Sequence, residues 1–219
     1  VEDRTTPGLY LELGDDDPGA YGATRAVELA ARPGVTRVTW WATSKPGRDE
    51  LPMTVADGAL LGLAEVDARF VPPTPRPGTT ALHFRRHHRP SQGVLTGSPT
   101  TGLLVVWISP RSPELAPSLR DWGDFVHIRH IAAASVPGFT HIAVYENAGD
   151  GPRYMHCYEL DAPDPEAAYL GMARHMARYF GGARTEAYRV WADFGPPGGA
   201  VDYCNTFSLL GALEEGGTP

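Results

Sequence analysis

Gly102-Leu103-Leu104-Val105-Val106-Trp107-Ile108-Ser109 is apolar at consecutive positions. From Leu103 to Ser109 it reads as a strand buried on both faces. A helical stretch follows, opening at Pro113 or Pro117 and running to Ser135; both prolines suit a first helical turn and neither suits an interior. Pro137-Gly138 ends it, and Phe139 to Glu146 reads as a second strand. Asn147-Ala148-Gly149-Asp150-Gly151 is a hairpin signal, and Tyr154 to Leu160 a third strand. Asp164-Pro165-Glu166 starts a helix and Gly181-Gly182 stops it, with Tyr169, Met172, Met176 and Tyr179 on one apolar stripe. Thr185 to Trp191 reads as a fourth strand. The order β-α-β-β-α-β is the ferredoxin-like split unit.

The first half repeats this pattern at fixed offsets. Pro33-Gly34-Val35-Thr36-Arg37-Val38 matches Pro137-Gly138-Phe139-Thr140-His141-Ile142, 104 residues later. Gly8-Leu9-Tyr10-Leu11 matches Gly102-Leu103-Leu104-Val105, and Leu63-Ala64-Glu65-Val66-Asp67 matches Cys157-Tyr158-Glu159-Leu160-Asp161, both at an offset of 94. The offsets place extra residues before the Pro-Gly turn in the second copy, and a longer connection around Ser44 to Gly58 in the first. Strands are expected near Leu9–Leu13, Thr36–Ala42, Leu60–Val66 and Thr80–His88. Where a second helix would lie, the first copy has Val71-Pro72-Pro73-Thr74-Pro75-Arg76-Pro77-Gly78, which cannot be helical. The expected organisation is a degenerate repeat over residues 1–93, a linker over 94–101, a complete repeat over 102–195, and a tail over 196–219 whose apolar centre packs on the body.

The chain has 219 residues, 42% hydrophobic and 21% charged, with 25 Gly, 21 Pro and a formal net charge of −7. Gly and Pro are well above average usage, yet the apolar fraction is that of a globular protein. No apolar run reaches the ~20 residues of a membrane span, and the charged start Val1-Glu2-Asp3-Arg4 lacks a signal-peptide core. An acidic chain is a poor nucleic-acid binder by its overall field. Cys157 and Cys204 lie in apolar or aromatic runs, which predicts buried thiols and suits a reducing cytoplasm.

Two such units resemble the dimeric α/β-barrel superfamily, in which two four-stranded sheets pack face to face, usually from two subunits. Here one chain would supply both. Asp121-Trp122-Gly123-Asp124-Phe125-Val126-His127-Ile128, followed by Val136-Pro137-Gly138-Phe139, is similar to the Asp-Trp…His-Ile…Val-Pro-Gly-Phe signature of the EthD-like branch. The first copy aligns Ala23 near the family His and lacks the Trp. The resemblance implies an α+β fold, an intrachain barrel, and a cavity either between sheet and helices or inside the barrel. The superfamily includes cofactor-free monooxygenases, cyclases, isomerases, lyases and haem enzymes, so it implies a style of chemistry more than a substrate.

The resemblance puts His127 on the first helix of the second copy, facing the pocket, where an imidazole can move a proton without a cofactor. Leu115, Leu119, Trp122, Val126 and Ala133 fall on one helical stripe with His130 at its edge. His127 lies about 100° away, so either the helix bends near Val126 or both faces are buried. Alternation places Tyr154, His156 and Tyr158 together on the third strand, and His141, Ala143 and Tyr145 together on the second. With the aliphatic residues toward the helices, both His/Tyr sets would face the barrel interior. The alternative is an internally satisfied polar-aromatic interface.

His127, His130, His156 and Tyr158 are therefore the catalytic candidates. Trp107, Trp122, His141, Tyr145, Tyr154 and Arg85 are the substrate-binding ones. Arg85 lies in the basic run Phe84-Arg85-Arg86-His87-His88-Arg89, which otherwise reads as a charged edge strand. No HExxH or paired-Cys motif points to a metal, and no cofactor is expected. The reading is a cytoplasmic enzyme using His acid–base chemistry on a carbonyl-containing aromatic or polyketide-like small molecule, as a cyclase, isomerase or lyase. A cofactor-free monooxygenase and a non-catalytic binding protein are the alternatives, with a haem or metal enzyme behind them. A homodimer is possible.

Overall fold

The computed structural model describes residues 6–51, 53–87, 93–193 and 198–214. The strands are β1 (Gly8–Gly14), β2 (Val35–Thr43), β3 (Leu60–Val66), β4 (Thr80–Arg86), β5 (Gly93–Val94), β6 (Gly102–Pro110), β7 (Phe139–Asn147), β8 (Tyr154–Leu160) and β9 (Gly199–Glu214). They run in the order β4-β1-β3-β2-β9-β6-β8-β7-β5, and β4 also pairs with β7. Eight strands thus close into an antiparallel barrel, with the short β5 added outside the ring on β7.

Each half has the ferredoxin-like strand order, β4-β1-β3-β2 in the first and β9-β6-β8-β7 in the second. Equivalent turns repeat the same bonds. Asp67 N donates to Gly34 O and Asp161 N to Gly138 O, both at 2.8 Å. Gly34 and Gly138 both have φ +83°, a conformation that glycine adopts without a Cβ penalty. Residues 71–76 take no regular structure, as the proline run requires.

The structure corrects the fourth strand of the second half. Glu186–Ala192 is a helix, capped by the Thr185 side chain accepting from Tyr188 N. The strand role passes to β9, within the segment expected to be a packed tail. β9 pairs with β6 along Gly199–Ser208 and with β2 along Phe207–Glu214, so it joins the two halves.

Alternate residues of all eight barrel strands fill the interior, among them Leu11, Trp41, Leu63, Phe84, Val105, Tyr145, Met155 and Phe207. A large apolar side chain fully buried in this way contributes about 1.5–3 kcal/mol. The opposite faces carry the helices. In the first half Tyr10, Val38 and Ala64 pack against Tyr21, Ala26 and Leu29. In the second, Leu104, Ile142, Val144 and Tyr158 pack against Ile128, Ile131, Met172, Met176 and Trp191.

The first helix of each half contains a π segment. In the first half it is Tyr21–Arg25, between Pro18–Ala20 and Ala26–Ala30. In the second half a 3₁₀ turn, Pro113–Leu115, leads into Ala116–Trp122, the π segment Gly123–Ile128 and then Arg129–Ala134. The wider turn changes the helical phase. Leu119 and Trp122 are buried before it, His127 and Ile128 within it and Ile131 after it, and Ala133 is exposed. The π segment lies at Val126, where the stripe is expected to break, and π turns of this kind are common at functional sites.

Candidate active site

His127, His156 and Tyr158 meet between the sheet and the helices, outside the barrel. Their cavity has a volume of about 260 Å³, and its walls include Leu104, Val106, Tyr169, Met172, Tyr188 and Trp191. His127 comes from the π segment, and His156 and Tyr158 from the helix-facing side of β8. Gly123 lets the helix approach, because a Cβ there would stand 3.2 Å from the His156 ring.

Trp191 fixes the His127 ring. The two rings stack at 4.9 Å with an 8° interplanar angle, and Trp122 lies 4.7 Å away on the imidazole. His127 Nδ1 is 3.0 Å from the Trp191 carbonyl, and Trp191 Nε1 donates back to the His127 carbonyl at 3.0 Å. A carbonyl only accepts, so the proton sits on Nδ1 and Nε2 is the basic atom. Burial pushes His127 down to about 4 and His156 down to about 3. Both rings are therefore neutral at pH 7. Burial also pushes the Tyr158 phenol up, so it keeps its proton. The Tyr158 hydroxyl and His156 Nδ1 stand 3.5 Å apart, a weak hydrogen bond. The site thus sets two neutral imidazoles and a protonated phenol within an apolar enclosure.

The remaining candidates lie elsewhere. In the β7–β8 register Ile142 faces Tyr158, Val144 faces His156 and Tyr145 faces Met155. Residues directly opposite share a face. Tyr154, His156 and Tyr158 therefore point at the helices, not into the barrel, whereas His141 and Tyr145 do point inward. These two line a cavity of about 50 Å³ at the barrel mouth, where His141 Nδ1 is 3.2 Å from Glu159 Oε1. His130 is spent on its own helix, with Nδ1 2.5 Å from Val126 O and the ring against Phe180. Trp107 is in the barrel core against Tyr203 at 4.7 Å, so Leu104 and Val106 form the wall expected of it. Trp122 backs His127 and donates to Val190 O at 2.9 Å. Tyr154 reaches Ala116 O at 3.4 Å. Arg85 is exposed on β4, beside Pro7, Asp67 and His83. His88 and Arg89 of the basic run lie outside the described residues. Among the described residues no three His, Cys, Asp or Glu side chains gather as metal ligands would. No helix among them is long and apolar enough to cross a membrane.

Three parts of the site escaped the sequence reading. Trp191 and Tyr188 were hidden by the strand assignment, although Thr185-Glu186 is a helix-start signal. Tyr169 and Met172 belong to the apolar helical stripe, whose spacing does not separate cavity wall from core. Leu51, from the β2–β3 connection, carries no local signal.

In the first half the equivalent space is filled. Gly62 and Ala64 stand 94 residues before His156 and Tyr158. A Cβ at Gly62 would lie 1.8 Å from the Tyr21 hydroxyl, so Tyr21 fills the equivalent space. Gly62→Ala is expected to cost ~1–3 kcal/mol by overpacking, measured by urea unfolding. An unchanged midpoint would show that Tyr21 moves aside freely.

No family model matches the chain, and no curated protein matches it. Among solved structures it superposes on an anthrone oxidase-like protein with a TM-score of 0.62 at 14% identity, over 96% of this chain and 93% of that one. This is the dimeric α/β-barrel fold. A candidate monooxygenase from Fusobacterium nucleatum gives a TM-score of 0.56 at 9% identity, over 98% and 97% of the two chains. A regulator of staphylococcal pathogenesis gives 0.55 at 10% identity, over 93% and 99%. Dimeric α/β-barrel chains with different names thus share this topology, and only the site distinguishes what each does.

Proposed function

We propose that the chain is a small-molecule enzyme of the cofactor-free oxidase or monooxygenase kind, acting on a flat aromatic substrate that carries a carbonyl or hydroxyl group. The observation that carries this reading is the convergence of neutral His127, His156 and Tyr158 on one apolar cavity. Two of the solved neighbours bear oxidase or monooxygenase names. The contact between Trp122 and His127 gives the Asp-Trp…His-Ile motif a physical role, which supports placing the chain in the EthD-like branch.

His127 Nε2 takes a proton from a CH₂ group that is conjugated with the substrate carbonyl, directly or through the aromatic rings as in anthrone. The electron pair moves to that oxygen, where Tyr158 and His156 supply hydrogen bonds to the enolate. The enolate charge offsets the desolvation that holds the imidazole neutral, so the ring becomes a stronger base as the reaction proceeds. Dioxygen then adds to the carbon, the proton returns to give a hydroperoxide, and loss of water leaves a second carbonyl. In sum one CH₂ and one O₂ become one C=O and one H₂O. Cyclase, isomerase or lyase chemistry would share only the first step.

The test uses anthrone, with oxygen uptake and binding measured separately. His127→Ala should keep binding within a few-fold and lose turnover by roughly 10²–10⁴. The low basicity of His127 favours a second reading, a binding protein without turnover. Saturable binding with no oxygen uptake and no other conversion by the wild-type chain would establish that one instead.

A further inference from the structure

The connection between β2 and β3 is longer than its counterpart in the second half, and it does not stay with its own half. It runs along β9. Ser44 N donates to Thr206 O at 2.8 Å, and Thr54 N to Asp202 O at 2.9 Å. Cys204 N contacts Met53 Sδ at 3.3 Å, and Asn205 Nδ2 donates to Lys45 O at 3.0 Å. Arg48, with no exposed side-chain surface, forms ion pairs with Glu50 and with Glu166, in the first turn of the helix Pro165–Tyr179. Thr206 Oγ1 donates to the same Glu166 oxygen at 2.8 Å. The Arg48 guanidinium also lies 5.1 Å over the Tyr169 ring, a cavity wall.

Leu51 follows Arg48 by three residues and lines the cavity. Among the described lining residues it alone belongs to a connection; the others stand on β6, β8, β9 or helices. A first-half side chain therefore completes the second-half cavity.

We infer that Leu51 is the specificity-determining residue of this cavity and that Arg48 is the positioning residue that holds it there through Glu166. The inference rests on the proposed function only in taking the cavity as the ligand site. The sheet and helix walls cannot recede without repacking the core, whereas a side chain on a connection sets the cavity length with little cost to the fold. At about 260 Å³ the cavity is at the small end for ligand pockets, typically ~300–1,000 Å³, and suits two or three fused rings carrying a hydroxyl or carbonyl.

The test titrates phenol, 2-naphthol and anthrone into the full chain, reading quenching of tryptophan fluorescence, since Trp122 and Trp191 flank His127. Leu51→Ala should raise the anthrone-to-naphthol affinity ratio on the order of tenfold, and Leu51→Phe should lower it. Arg48→Gln should move the ratio in the same direction as Leu51→Ala. Glu50→Gln, which removes the more exposed partner of Arg48, should leave it unchanged. A merely structural role for Arg48 would lower the melting temperature without moving the ratio. Folding of each variant is checked by circular dichroism, and Leu51→Met is the control of similar volume. Wild-type binding with a ratio that Leu51→Ala and Leu51→Phe do not change overturns the inference alone. No saturable quenching by any probe in the wild-type chain overturns the ligand-site reading and the inference together.

Discussion

Glu12→Ala is expected to lower the free energy of unfolding by roughly 3–5 kcal/mol, the cost of leaving the partner of a buried ion pair alone. Glu12 is 1% exposed on β1 and receives Arg25 through Nε at 3.0 Å and Nη2 at 2.5 Å. The Tyr10 hydroxyl donates to it at 3.0 Å and the Tyr21 hydroxyl approaches at 3.4 Å. Removing the carboxylate strands the guanidinium and two phenols where water cannot replace it. Glu28 still bonds Arg25 Nη1 at 2.9 Å, so the loss should fall at the lower end of the range. In a chain of this size each kcal/mol moves the melting temperature by about 2–4 °C. Urea and thermal unfolding measure both quantities. A loss below about 1 kcal/mol would mean that solvent reaches Arg25 after the substitution. Replacing both partners with apolar residues, Glu12→Leu with Arg25→Met, should recover part of the stability, because the Tyr10 and Tyr21 hydroxyls remain without their acceptor.

Acidification should weaken the fold well above the range in which carboxylates titrate. The folded values of His127 and His156, about 4 and about 3, lie below the ordinary histidine value of 6.5. The unfolded chain therefore binds more protons as the pH falls below about 6.5. The stability of having both rings neutral is fully present above that pH and is lost progressively down to the folded values. Each ring contributes about 1.4 kcal/mol per pH unit in that window. Between pH 7.5 and 5.5 the two together should cost roughly 2–3 kcal/mol. Urea unfolding at the two pH values measures this, with His127→Phe/His156→Phe as the reference. Parallel pH profiles for the wild-type and double-variant proteins would mean that both rings take up protons in the folded state.

Much of this fold was legible because its cues are local. The proline run at 71–78 excludes a helix by itself, and the Pro-Gly turns need only their own residues to be recognised. The orientation of β8 was not legible. A strand in a covered barrel buries both faces, so Tyr154, His156 and Tyr158 give no sign of which side is inside; pairing with Ile142 and Val144 decides it. Residues 185–191 misled for a related reason. Tyr188, Val190 and Trp191 have strand-like composition, and over so short a span the capping Thr185 is the better guide. The π segment brings His127 and Ile128 into the core together, which a regular 3.6-residue period does not describe. Leu51 reaches the cavity through long-range bonds to β9 and Glu166, which no reading of its neighbours supplies.

β9 gives the molecule a distinctive assembly problem. It follows the other barrel strands in sequence, yet it lies between β2 and β6 in space. A chain synthesised from its N-terminus therefore displays two unsatisfied edges, Val35–Thr43 and Gly102–Pro110, until residues 199–214 leave the ribosome. Such edges are templates for pairing with other nascent chains. Their correct partner arrives late, and its contacts with β2 span most of the sequence, which slows the rate-limiting search. Yield in the cell should therefore depend on chaperone capacity and growth temperature more steeply than the stability of the finished barrel would suggest.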